Sequence, residues 1–118
     1  MITDHGMPVN RPQPIPRPEW SPLPYEGCVG VEGKVLLRSP TLVLALLRFA
    51  PGGSIHEHDA PMDIDVVCLE GEGLVSVGDE RFPFHAGESV RWPAGTMHRL
   101  WTEGTDMTTL MVEHYPSA

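Results

Sequence analysis

Lysine is almost absent from this sequence: Lys34 stands alone, and scattered arginines bring the basic total to 8 against 16 acidic residues, for a formal net charge of -8. A nucleic-acid backbone or an anionic membrane surface is held by clustered cations, so neither is expected as a partner. Cysteine is scarce as well. Cys28 and Cys68 lie far apart among apolar neighbours, whereas a small exported domain generally staples its core with several disulfides. The pair therefore reads as two buried thiols in a reducing, cytoplasmic setting. The first residues, MITDHGMPVNRP, lack the basic cluster and apolar run of a secretory signal. The longest apolar run, Leu42 to Leu47, is far too short to cross a bilayer, and no stretch carries a convincing helical stripe.

What the chain does have is proline at one end and short apolar runs elsewhere. Its 118 residues suffice for one domain and not for two. Residues 1–24 hold Pro8, Pro12, Pro14, Pro16, Pro18, Pro22 and Pro24, which impose extended geometry and withhold backbone donors. They read as a proline-rich N-terminal arm, anchored where ordered by Ile15, Trp20, Leu23 and Tyr25, and residues 25–118 read as a single domain. From Cys28 onward the texture is that of strands between turn residues. The predicted strands are Cys28–Glu32, Lys34–Arg38, Thr41–Phe49, Ser54–His58, Asp63–Leu69, Leu74–Val77, Glu80–Phe84, Ser89–Trp92, Met97–Trp101 and Thr108–His114. Thr41–Phe49 is long enough for a short helix, but Pro51-Gly52-Gly53 follows it and its neighbours are strand-sized. So many short strands and tight turns predict an all-β barrel or sandwich, in which closing the sheet removes its edges.

Three histidines carry the chemistry. His56 and His58 form an H-x-H pair, and in a regular strand residues i and i+2 share a face while Glu57 points the other way. His98 follows the turn Pro93-Ala94-Gly95-Thr96, which sets where its strand begins. Converging neutral imidazoles suit Fe, Mn, Ni, Zn or Cu, with positions left open for substrate or dioxygen. The other histidines fit blander roles: His85 a turn, His114 a structural or exposed position, His5 the arm. Arg99 faces away from His98, and Arg48 and Arg91 lie in strands where either pairs with Glu57, Asp63 or Asp65 or, if inward, one meets a carboxylate of the substrate. Trp92 and Trp101 read as core or interface, with Trp20 able to cover a barrel mouth.

Two stretches resemble the paired motifs of the cupin superfamily. The second family motif runs Gly, five residues, Pro, any, Gly, two residues, His, three residues, Asn, and here Gly87, Pro93, Gly95 and His98 fall in place, with Thr102 where Asn is usual. The first motif runs Gly, five residues, His-x-His, three or four residues, Glu, six residues, Gly. Gly71 closes it here, and His56 and His58 look like its histidine pair. Ile64 stands where the family places glutamate, and the pair follows Gly52 by three residues rather than five, so that in strict register His58 takes the first histidine slot and Ala60 the second. The resemblance covers about residues 41–115.

The resemblance implies a double-stranded β-helix, the jelly-roll or cupin barrel, as a small single domain with a three-histidine variant of the metal site. His56, His58 and His98 are then the expected ligands of a divalent transition metal, Fe(II) first, with Mn, Ni, Zn or Cu as alternatives. Strand alternation turns Asp63 and Asp65 away from Ile64, Val66 and Cys68, but a bulge after Pro61 would bring Asp65 or Asp63 inward as a fourth ligand. The expected substrate pocket is apolar: Ile64, Val66, Cys68, Leu100 and Met111, with Leu46 a further candidate. Such a lining suits a small chelating substrate, an enolisable, diketone-like, hydroxy-acid or carboxylic-acid molecule. The expected activity is that of a metal-dependent oxidoreductase, dioxygenase-like. Isomerase, cyclase or lyase chemistry at the same metal fits the same residues, and so does a non-catalytic small-ligand or metal-binding barrel. A homodimer packed sheet against sheet is the expected assembly.

Overall fold

A computed structural model describes residues 10–116. It contains eight strands: β1 (Arg17–Pro22), β2 (Val29–Arg38), β3 (Leu42–His58), β4 (Asp63–Val77), β5 (Glu80–His85), β6 (Ser89–Trp92), β7 (His98–Trp101) and β8 (Met107–His114). All pairings are antiparallel. The jelly-roll expectation holds, and the reason for its closure is visible in two long strands. The first part of β3 pairs with β2 and β8, and its last part pairs with β7. Likewise β4 pairs first with β8 and β6, then with β7 and β5. Two sheets, β1-β2-β3-β8-β4-β6 and β3-β7-β4-β5, thus share their long strands and close around one interior.

The predicted strands flanking Gly33, those flanking Pro51-Gly52-Gly53 and those flanking Glu70-Gly71 each form one continuous strand. The last two bend a strand where it passes from one sheet to the other, while Gly33 lies within β2 opposite Ser21 and Leu47; none of them ends a strand. At the bend in β3, a Cβ on Gly53 would lie 2.7 Å from the Gly30 carbonyl oxygen, so only glycine fits. Thr102, in the slot where the family motif carries Asn, clamps this bend. Its hydroxyl donates to the Ala50 carbonyl (2.7 Å) and accepts from the Gly53 N–H (3.2 Å), while the Thr102 N–H donates to the Gly53 carbonyl (2.8 Å).

The strand that the sequence reading did not foresee is β1, inside the proline-rich arm. It pairs with β2 through Arg17 opposite Val35, Ser21 opposite Gly33 and Pro22 opposite Glu32. An edge strand tolerates Pro18 and Pro22 because one row of its donors needs no partner. Leu23 then packs on the core, and Trp20 lies against the Lys34 ammonium and the Arg48 guanidinium rather than in the cavity wall. His5 and Pro8 lie outside the described residues.

A histidine-walled cavity as candidate functional site

Alternation on β2, β3, β4 and β8 aims one set of side chains inward. A cavity of about 870 Å3 opens among them, walled by His56, His58, Ile64, Trp92 and Met111 and bordered on one side by Leu23 and Pro24 of the arm and by Tyr25 and Cys28 just beyond it. Of the expected pocket residues, Ile64 and Met111 line this space. Val66, Cys68 and Leu100 do not: all three are completely buried in the packed core beneath it, because a barrel this narrow is filled by its own side chains over part of its length. Leu46 is not among the lining residues either. It stands opposite Leu110, whereas its neighbour Leu47 faces in and lines the cavity.

The three histidines meet, though not as a regular H-x-H strand would present them. Ile55 stands opposite Leu100 and His58 opposite His98, so β3 carries one extra residue between them. The His56 and His58 rings stack with centroids 5.0 Å apart, and the His58 and His98 rings meet edge to face at 4.6 Å. His98 lies parallel to the Trp92 indole at 3.8 Å and is 1% exposed. Unlike His56 and His58, it is not part of the cavity wall. Above His56 sits Gly27, with φ +85°, where a Cβ would come within 2.7 Å of the imidazole.

His58 Nδ1 is 2.8 Å from the His56 carbonyl oxygen. A carbonyl only accepts, so Nδ1 carries a proton, and in the neutral ring Nε2 carries the lone pair. Both ring nitrogens of His98 are buried without a hydrogen-bond partner among the described residues. Burial lowers its pKa to about 4, and neighbouring His58 lowers it further, against weaker opposing effects from the Thr96 backbone and Asp59. His98 is therefore a neutral ring at neutral pH.

Asp63 and Asp65, the candidate fourth ligands, lie on the outer face, a correction to any inward role. The Arg91 guanidinium donates to both Asp65 oxygens (2.9 and 2.7 Å), His114 Nε2 lies 2.8 Å from the same carboxylate, and Asp63 accepts from the Ala94 N–H (2.8 Å). Arg91 chiefly, and His114 after it, holds the Asp65 carboxyl down at about 2. Ile64 faces inward between them, so no carboxylate from this strand reaches the imidazoles.

The donor chemistry of His56, His58 and His98 is right for a transition metal, but as placed the donors do not gather: no group of three or more His, Cys, Asp or Glu among the described residues is arranged to hold an ion. The sequence reading also missed residues that line the cavity: Arg17, Arg38, Glu113 and Tyr115. Strand register is the signal that finds Arg38 and Glu113, since each stands opposite Val43 across its own ladder. Arg17 was hidden because the arm was not expected to pair.

A closed two-sheet barrel with imidazoles in the wall of its lumen is a barrel of the jelly-roll class. This chain belongs to the cupin family: residues 45–113 match the Cupin domain, Cupin_2. No curated protein sequence matches it significantly. Among solved structures it is similar to a cupin 2 conserved barrel domain protein from Leptotrichia buccalis, with 32% identity over 71% of this chain and 40% of that one and a TM-score of 0.68. It is also similar to the polyketide cyclase RemF from Streptomyces resistomycificus, with 18% identity over 90% and 81% of the two chains and a TM-score of 0.79. KdgF from Halomonas sp. has 18% identity over 84% and 89%, with a TM-score of 0.73. At 18% identity the likeness to these last two is one of fold.

Proposed function

We propose that the protein binds a small, partly apolar molecule in the lumen and engages its polar group through His58. The supporting observation is the fixed tautomer of His58: its Nδ1–H is spent on the His56 carbonyl, which leaves the Nε2 lone pair on a residue of the cavity wall. A neutral imidazole so oriented accepts a hydrogen bond, and if the bound molecule has an acidic O–H or an enolisable C–H, the same nitrogen is the base that takes the proton. The apolar walls at Ile64, Trp92 and Met111 suit the body of such a molecule. Titration with acetylacetone or 3-phenylpropanamide, followed on the imidazole nitrogen resonances, tests the reading. Saturable movement of the His58 Nε2 signal is expected, and loss of it in His58→Gln; a spectrum that does not move with either compound overturns it.

One observation favours a second reading, metal-dependent chemistry: the two unpaired nitrogens of buried His98 beside His58. In that reading His56, His58 and His98 hold the ion, Fe(II) first, which would polarise a chelating substrate in dioxygenase, isomerase, cyclase or lyase chemistry. Elemental analysis of untagged protein decides it. About one equivalent of metal, lost in His98→Ala, would replace the first reading. For assembly, the outward row Leu44, Leu46, Leu110 and Val112, half-buried on the open face of the larger sheet, supports a homodimer packed sheet on sheet.

A further inference from the structure

Two guanidinium groups, those of Arg17 and Arg38, line the cavity. Arg17 stands opposite Val35 and Arg38 opposite Val43, and residues directly opposite in an antiparallel pair share a face. Both valines and both arginines line the lumen. Among the described residues neither arginine forms an ion pair, although Arg48 and Arg91 elsewhere on the barrel do. The Nε–H of Arg17 is buried with no hydrogen-bond partner among the described residues. A buried, unpaired guanidinium N–H is costly, and a bound acceptor would recover that cost.

The cavity wall also carries three acids, Glu26, Asp59 and Glu113. Glu113 accepts from the Tyr115 hydroxyl at 2.7 Å, and among the described residues none of the three forms an ion pair with Arg17 or Arg38. Their presence also matters for the choice of anion: a lumen with carboxylates of its own favours a singly charged guest over a phosphate dianion. From Arg38 the inward row continues through Val43, Glu113 and Ile64 to Trp92, on which His98 stacks. That row crosses four strand spacings, roughly 19 Å along the curved sheet. One molecule can thus have its charged end among the arginines and its other end near the imidazoles.

We infer that the lumen ligand is a monocarboxylate, its carboxylate held by Arg17 and Arg38 and its apolar body lying over Ala45, Ile64 and Met111 toward His58. The inference rests on the lumen-binding reading above and gives it a substrate class. The arm acquires a role with it, because β1 delivers one of the two anion contacts.

Calorimetric titration of the full chain with 3-phenylpropanoate and its neutral isostere 3-phenylpropanamide tests the inference, using wild type, Arg17→Gln and Arg38→Gln. The acid should bind at least about tenfold tighter than the amide to wild type, the range expected for hydrogen bonds to a charged group. Each substitution should cut that preference to about twofold while leaving amide affinity in place. Should Arg17→Gln unfold, as thermal denaturation would show, Arg38→Gln decides alone. Equal affinities in wild type, or a preference that survives substitution, overturn the arginine assignment and leave the lumen reading standing. Binding of neither compound to wild type overturns both.

Discussion

The two ends of the barrel interior are built by the same alternation and come out differently. At one end Val66, Cys68, Leu100 and Thr109 are wholly buried and the space is filled. At the other, the same strands place Val43, Glu113 and Ile64 inward beside Arg38, and the space stays open. Small and medium apolar side chains interlock at the first end. At the second, charged and aromatic groups cannot close over one another without stranding their polar atoms, so a cavity persists there. Function is to be sought where the apolar pattern breaks.

Removing packing from each end should break this contrast by different amounts. Leu100→Ala empties a fully buried site that is not part of the cavity wall and should cost about 3 to 5 kcal/mol in urea unfolding, while Ile64→Ala, beside the cavity, should cost nearer 2 kcal/mol. Equal losses would mean that the cavity end is packed as tightly as the core.

His98 gives the next effect. Its folded pKa of about 4 lies below the ordinary histidine value of 6.5, so between those two pH values the unfolded chain binds the proton that the folded chain refuses. Its contribution to the stability of metal-free protein is complete above about pH 6.5 and is lost as pH falls toward 4, by about 3 kcal/mol in all. Stability measured across that window should fall steeply in wild type and more gently in His98→Gln.

Thr102→Val tests the bend that joins the two ends. It strands the Ala50 carbonyl and one contact of the Gly53 N–H, at a cost of about 2 kcal/mol, and should leave ligand affinity unchanged. The smallest effect belongs to the outer face. Asp65 has its pKa held at about 2, so it stabilises the fold above its ordinary value of 3.8, and that contribution disappears as pH falls through 2. Asp65 is a third exposed, so solvent screening limits the loss in Asp65→Asn to about 1 kcal/mol at neutral pH.

Much of this was legible beforehand. Alternation along Asp63–Cys68 put Ile64, Val66 and Cys68 on one face and the aspartates on the other, and the structure agrees because register in a one-face-buried strand is strongly specified. The Gly87, Pro93, Gly95 and His98 spacing located the turn that sets His98 opposite His58. The strand count was too high because glycine and proline mark a bend as readily as an end, and only a partner strand distinguishes the two. The pocket was misjudged at Val66, Cys68 and Leu100 because inward-facing and cavity-lining are the same statement in one dimension.

The sequence by itself determined the all-β class, the inward and outward faces of its strands and the neighbourhood of three histidines, since these follow from period-two patterning and local turn chemistry. Only the tertiary structure decided which inward residues meet solvent, which are sealed, and that a strand of the proline-rich arm brings Arg17 to the lumen. Those outcomes depend on how far the two sheets stand apart and on pairings between segments distant in the chain, and neither quantity is written in any single stretch of residues.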